Sequence, residues 1–298
     1  MLFTKKYRFA GGSGCVLEIG SEFEFPGSGY TDIFALPDGA PDAPTYTVHA
    51  DFADDLPVPP AAAVETDRRT AWRDGAHDRC IRYYCKDREC RRFPYVFADR
   101  CGSHIELVFL RGTGVTVTAR TMLEAAGLAA LLLDAGSIVL HSSFVISGGA
   151  ALIFSGASGA GKSTQAELWR STVGASIVNG DRTLITPTDA GADAAGIIWC
   201  GTSGICRDLT APIRAIALIS HGNENSARPA TPIEAFSAIL GQTTYDINDP
   251  CAVSAATDIC ARVISRVPVI RLSCLPDASA VHFYGKYLDE VAQKWKTT

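Results

Sequence analysis

The spacing of apolar positions changes character near residue 115. Upstream, apolar runs are short and bounded by turn residues, which predicts strands at 15–19 (Cys15-Val16-Leu17-Glu18-Ile19), 46–50 (Tyr46 to Ala50) and 105–110 (Ile105 to Leu110). Pro26-Gly27-Ser28-Gly29, Pro37-Asp38-Gly39-Ala40-Pro41 and Leu56-Pro57-Val58-Pro59-Pro60 break the chain between them. Helical periodicity is almost absent there. Downstream, Met122, Ala125, Ala126, Ala129 and Leu132 recur at helical spacing with Leu123, Leu128 and Leu131 beside them. That pattern predicts one largely buried helix over 118–133. Residues 137–146 read as a strand, and Ser147-Gly148-Gly149 as the tight turn of an antiparallel pair entering the apolar run Ala150 to Phe154.

Further along, residues 175–181 read as a short strand ending in an acid, and 213–220 as another. Thr231-Pro232-Ile233-Glu234 combines an N-cap, a proline at the first helical position and a capping-box glutamate. Asp249-Pro250 opens a second helix reaching about Ile264, and 267–274 is a late strand. Pro276-Asp277 opens a final helix, in which Val281, Tyr284, Leu288, Val291 and Trp295 form an apolar stripe. The expected organisation is a β-rich N-terminal module, 1–115, followed by an α/β domain, 116–298.

Composition narrows the function classes. With 298 residues and 47% hydrophobic content, the chain can bury a sizeable core. A net charge of −5 gives no general attraction to nucleic acid or an anionic membrane, so any phosphate site must be local. The start of the chain lacks the apolar core of a signal peptide, and the most apolar window, 123–133, is too short to cross a bilayer. A cytoplasmic protein follows as the expectation, with ten cysteines as free thiols. Cys80, Cys85, Cys90 and Cys101 form the one cluster, with His77 and His104 near in sequence, but no pair has zinc-ligand spacing. The basic run 79–92 holds Arg79, Arg82, Lys86, Arg88, Arg91 and Arg92, with Tyr83, Tyr84 and Phe93 within or beside it. It reads as an edge strand whose charges discourage aggregation, in preference to a docking surface, because Asp87 and Glu89 dilute its field.

The chemistry concentrates in Gly156-Ala157-Ser158-Gly159-Ala160-Gly161-Lys162-Ser163-Thr164, which fills every fixed position of G-x-x-x-x-G-K-[ST]. A buried strand precedes it and good helix formers follow, so backbone N–H groups and the positive end of a helix dipole would converge on an anion. Lys162 would reach the β- and γ-phosphates of ATP, and Ser163 would place its hydroxyl on Mg²⁺. Asp181 follows by one helix and one strand, which should return it to the same edge of the sheet. A carboxylate there can hold Mg²⁺ or accept a proton from an incoming hydroxyl. His141 lies mid-strand in an apolar run, and its spacing alone suggests a satisfied core histidine.

Taken together, His141-Ser142-Ser143, the run 156–164 and Asn179-Gly180-Asp181-Arg182 resemble the HPr kinase/phosphorylase family, whose core is distantly related to ATP-dependent phosphoenolpyruvate carboxykinase. Within that family the chain most resembles the related bacterial proteins found in some peptide-biosynthesis clusters, lasso-peptide precursor kinases among them. The resemblance runs over about 120–285, includes Trp199-Cys200-Gly201-Thr202-Ser203-Gly204 and Val267-Pro268-Val269, and leaves out the first third. It implies a phosphate-loop kinase core that moves the γ-phosphoryl group of ATP to a serine of a peptide or small protein. Asp181 would then be the general base, His141 would lie beside the transferred group, and Lys162 and Ser163 would keep their nucleotide and metal roles. Self-association is implied as well, since HPr kinases are hexamers. The bifunctional members carry a paired acid where this chain has Gly180-Asp181, and a Glu-Val-Arg-Gly-type signature where it has Gly201 to Asp208. The resemblance therefore does not extend to phosphorylase activity or to HPr as substrate. Arg207 and Asp208 stand as candidate phosphate and metal partners in that region. Two other readings of the loop stay open: a nucleotide-binding switch ATPase, and a kinase acting on a small molecule.

Overall fold

The computed structural model of the chain describes residues 3–9, 14–85 and 92–295, with the side chains of 85 and 291–295 outside that description. Lys86, Asp87, Arg88, Glu89, Cys90 and Arg91, named above, fall outside it, as do the side chains of Cys85, Val291 and Trp295. The protein is mixed α/β and divides into two compact units, one of residues 1–8 and 15–128, the other of residues 9–14 and 129–298. Among the described residues, no helix is long and apolar enough to cross a membrane.

In the first unit, alternation does the folding. Strand β8 (His104–Leu110) buries Ile105, Leu107 and Phe109 and turns His104 and Glu106 outward, the period-two pattern of a half-buried strand. It lies between β3 (Tyr46–Ala53), which it pairs in parallel, and β7 (Arg92–Cys101), which it pairs antiparallel. With β1 (Phe3–Phe9), β2 (Cys15–Ser21), β4 (Val64–Glu65), β5 (Arg69–Asp74) and β6 (His77–Cys85), the sheet runs β1-β2-β3-β8-β7-β6-β5-β4. The basic run therefore does not start on an edge strand: β6 pairs with both β5 and β7. The charge of its described arginines is met locally. Arg79 reaches Asp99 at 3.0 Å and Asp74 at 2.5 Å, Arg82 donates to the Ala125 carbonyl at 3.2 Å, and Arg92 sits 5.0 Å over the Tyr83 ring.

The single helix expected over 118–133 is two helices, α1 (Ala119–Ala125) and α2 (Leu128–Asp134). Thr118 caps the first through the Thr121 amide, and Gly127 at φ +81° ends it, a left-handed step that only glycine takes without strain. The division between the units falls at this break, and α1 belongs with the first unit: its Ala119 amide donates to the Pro26 carbonyl at 2.9 Å.

In the second unit two long strands organise everything. Strand β9 (Ile138–Ser147) turns through Gly148 and Gly149, both at positive φ, into β10 (Ala150–Ser155). The first half of β9 pairs instead with β12 (Arg182–Thr188), and its second half also pairs with β11 (Ser176–Asn179). Strand β14 (Thr210–His221) likewise begins beside β13 (Gly191–Ala195), then runs parallel to β10 and to β16 (Val269–Cys274). Strand β15 (Ser226–Pro229) closes the edge. Helices α3 (Lys162–Val173) and α6 (Ala278–Trp295) cover one face, where Phe154, Trp169, Ala217 and Tyr284 pack. Helices α4 (Pro232–Gln242) and α5 (Pro250–Ile264) cover the other, over Leu140, Ile153, Ile216 and Leu218. The capping box at Thr231 and Glu234 and the Asp249 cap both form. Parallel strands β10, β14 and β16 thus end together on one edge, between two helical layers.

Candidate functional site

The loop 156–161 joins β10 to α3 at that edge. Its glycines stand at φ +155° (Gly156), +79° (Gly159) and +95° (Gly161). At Gly156 the requirement is double, because a Cβ there would lie 2.8 Å from the Ile219 carbonyl oxygen on β14. Gly161 is the N-cap of α3, no side chain caps the helix, and its first turn holds no acid. The N–H groups of that turn are left to solvent or a ligand, so the helix end offers an uncompensated positive field. The Nε2 of His221, at the end of β14, donates to the Gly159 carbonyl at 2.8 Å and steadies the loop tip.

Lys162 is 9% exposed and folds back over the loop, its Nζ donating to the carbonyls of Gly156 and Ala157, each at 3.0 Å. Burial pulls its pKa below the ordinary lysine value; the Asp181 charge opposes this and Arg182 adds to it. Ser163 and Thr164 are exposed at the helix start, and among the described residues neither hydroxyl has a hydrogen bond within the protein.

Asp181 sits in the turn between β11 and β12, built from below by Asn179. The buried Asn179 side chain donates to the Ile197 carbonyl at 2.7 Å and accepts from the amides of Asp181 and Arg182, each at 3.0 Å. The Ser143 hydroxyl donates to the Gly180 carbonyl at 3.0 Å. A side chain at position 180 would meet the Ser203 side chain unless Ser203 moved. The register of β9 with β12 places His141 opposite Arg182. As a result the Asp181 carboxylate stands between two groups: His141 Nε2 at 3.4 Å and Arg182 Nε at 3.2 Å, all three side chains about 30% exposed.

His141 is held below its ordinary pKa by burial first, then by the Lys162 and Arg182 charges, against Asp181 and a hydrogen bond with Gln242 at the end of α4. It is therefore a neutral imidazole at pH 7. The reciprocal influence of these charges places His141, Lys162, Asp181 and Arg182 in one neighbourhood beside the glycine loop. Such a cluster can cancel phosphate charge, polarise a hydroxyl and receive its proton.

Every residue named from the sequence at the loop and at 141 and 181 is in this neighbourhood. Arg207 lies beside β11, its amide donating to the Val178 carbonyl at 2.9 Å, and Asp208 follows it in the segment before β14. Two participants carried no sequence signal: His221 and Gln242, which reach the site from β14 and α4; Arg182 is named above only within the run 179–182. Among the described residues, no group of three His, Cys, Asp or Glu side chains could hold a metal ion alone. Cys101 is a free thiol, and His77 and His104 engage Asp99 and Thr47 instead. The residues present do fit Mg²⁺ brought on a nucleotide, which takes one or two protein oxygens with phosphates and water: the free Ser163 hydroxyl and the Asp181 carboxylate are of that kind.

No family model matches the chain, and no curated protein matches it. The functional reading rests on the geometry and on the motif.

Proposed function

We propose that the second unit is a phosphate-loop kinase core of the HPr kinase/phosphorylase type, transferring the γ-phosphoryl group of Mg²⁺-ATP to a hydroxyl, that of a serine on a peptide or small protein. The observation that carries this reading is the juxtaposition of an uncapped helix end bearing buried Lys162 with the His141–Asp181–Arg182 cluster. A switch ATPase needs the first feature but no base for an acceptor hydroxyl, so the second weighs towards transfer.

In this reading the phosphates displace the two loop carbonyls from Lys162 and take the free N–H groups of α3. Held by the Ser163 hydroxyl with phosphate and water oxygens, Mg²⁺ would neutralise charge developing on the phosphates and leave the Asp181 carboxylate to act as the base. The acceptor hydroxyl oxygen forms a bond to the γ-phosphorus while the bond to the β–γ bridging oxygen breaks, and ADP leaves with that electron pair. Asp181 receives the hydroxyl proton. Arg182 holds the Asp181 carboxylate in place, and neutral His141 can donate a hydrogen bond to it. A positioned base contributes roughly 10²–10⁴-fold; cancelling phosphate charge in a water-poor site contributes as much or more.

The test is ³¹P NMR of the protein with Mg²⁺-ATP, alone and with serine-containing peptides. A phosphomonoester signal that appears only with peptide supports the kinase. ADP and inorganic phosphate released at the same rate with and without every peptide would sink it in favour of the ATPase.

A further inference from the structure

On the α4 side of the sheet, a pocket of about 270 Å³ opens at the ends of the parallel strands, lined by Gly156, Ala157, Leu218, Ala238, Gln242 and Arg271. Three features give it a purpose. It begins at the two loop residues whose carbonyls hold Lys162, the end of the loop where a γ-phosphate would lie. It is joined to the reacting centre by Gln242, which lines it and also hydrogen-bonds His141. And its walls are apolar except for Gln242 and the guanidinium of Arg271, which pairs with no acid among the described residues.

Arg271 is not balanced by its neighbours. Directly across the ladder on β15 stands another arginine, Arg228, whose own charge is taken up by a two-pronged pair with Glu234 at 2.8 and 2.6 Å. Two like charges opposite each other cost stability unless an anion is shared or supplied. The pocket is also too small for a whole nucleotide, lying just under the range of roughly 300–1,000 Å³ typical of ligand sites. It suits a group about the size of one amino-acid residue.

We propose that this pocket seats the phosphoryl acceptor, and that Arg271 binds a carboxylate carried close to the acceptor hydroxyl. Arg271 is exposed at the pocket mouth, and its guanidinium fork matches a carboxylate in two parallel hydrogen bonds. The substrate class is then a hydroxyl acceptor with an adjacent carboxylate, supplied by an acidic neighbouring residue, by a chain end, or by a free hydroxy amino acid. This rests on the kinase reading above.

The experiment uses three matched probe pairs on the full chain: Ac-Gly-Ser-Asp-Gly-amide against its Asn counterpart, Ac-Gly-Gly-Ser with a free or amidated terminus, and L-serine against serinamide. Binding is read by NMR titration without nucleotide, and transfer by ³¹P NMR with Mg²⁺-ATP. The carboxylate member of one pair should be preferred by about tenfold or more, the size of one charge-assisted interaction. Arg271→Gln should level that preference, and Arg271→Lys should keep part of it. The pair that shows the preference identifies the source of the carboxylate. A binding preference abolished by Arg271→Gln with no transfer to any probe would keep the pocket and remove the kinase. Transfer that ignores the carboxylate, a preference that survives Arg271→Gln, or no saturable binding of any carboxylate probe overturns the pocket proposal. So does loss of Mg²⁺-ATP binding in Arg271→Gln with the preference intact, which would assign this arginine to the nucleotide.

Discussion

Asp181→Asn separates chemistry from folding, because asparagine keeps the shape of the side chain and removes its charge. On the stability side it loses an ion pair with Arg182 at 3.2 Å in which both side chains are 30% exposed. Such a pair is worth roughly 0.2–1 kcal/mol, and the Asn179 and Ser143 hydrogen bonds that build the turn remain. For a unit of this size about 1 kcal/mol moves the unfolding midpoint by roughly 2–4 °C at most. On the catalytic side, losing a general base costs about 10²–10⁴ in rate. At about 1.4 kcal/mol per tenfold, that is roughly 3–5 kcal/mol of transition-state stabilisation. The two magnitudes do not overlap, so thermal unfolding and single-turnover transfer measured on one preparation decide between them. Mg²⁺-ATP should still bind through the loop. A second readout needs no acceptor: Asp181 is one of the groups raising the His141 pKa, so asparagine should lower the His141 NMR titration midpoint further. Transfer at an undiminished rate would remove the proposed base, and an unmoved His141 midpoint would refute the 3.4 Å juxtaposition itself.

Two more outcomes follow from the same geometry. Gly156→Ala places a Cβ 2.8 Å from the Ile219 carbonyl at a backbone φ of +155°, so denaturant titration should show a loss of roughly 1–3 kcal/mol, and Mg²⁺-ATP affinity should fall with it; unchanged stability would mean that the loop does not adopt this path. For pH, His141 titrates below its ordinary value in the folded chain while the unfolded chain takes its proton near pH 6.5. As pH falls below about 6.5 the unfolded state therefore binds protons first and stability drops, levelling once the folded-state midpoint is passed. The difference between wild type and His141→Asn in thermal midpoint across pH 7.5 to 5 isolates this contribution, and parallel curves would contradict it.

Much of the second unit was readable along the chain because its signals are local. The Gly148-Gly149 hairpin, the strand–loop–helix of 150–173, the Thr231–Glu234 capping box and the Asp249-Pro250 start each depend on a few consecutive residues. The helix break at Gly127 was hidden by an apolar pattern that continues through it, since Met122, Ala125, Ala126, Ala129 and Leu132 keep helical spacing while the backbone does not. The hairpin β12–β13 escaped for the opposite reason: Arg182–Thr188 and Gly191–Ala195 are short and rich in threonine, alanine and glycine. Arg79 and Arg82 read as edge charges because their partners Asp99, Asp74 and Ala125 come from elsewhere in the chain. In the site, proximity of Lys162 to Asp181 could be argued from βαβ geometry, but not the arrival of Gln242 and His221. Those depend on which strands lie side by side, a property of sheet order that no single segment encodes.

The electrostatics of the cluster carry one further consequence. Burial lowers the pKa of both Lys162 and His141, and positive neighbours push His141 further in the same direction. An incoming triphosphate reverses the balance, bringing several negative charges against groups now repelled by Lys162 and Arg182. It must raise both pKa values. Lysine is already protonated near neutrality, so its shift takes up almost no proton; His141 starts as a neutral imidazole, so its shift takes up a measurable fraction of one. Nucleotide binding should therefore draw in protons at pH 6–7 and tighten as pH falls through that window. Calorimetric titration of a non-hydrolysable ATP analogue in buffers of different ionisation heat reads that uptake directly, and His141→Asn should abolish it. Heats independent of the buffer would mean that the phosphates do not come to rest beside His141, and the catalytic reading of this strand would fall with them.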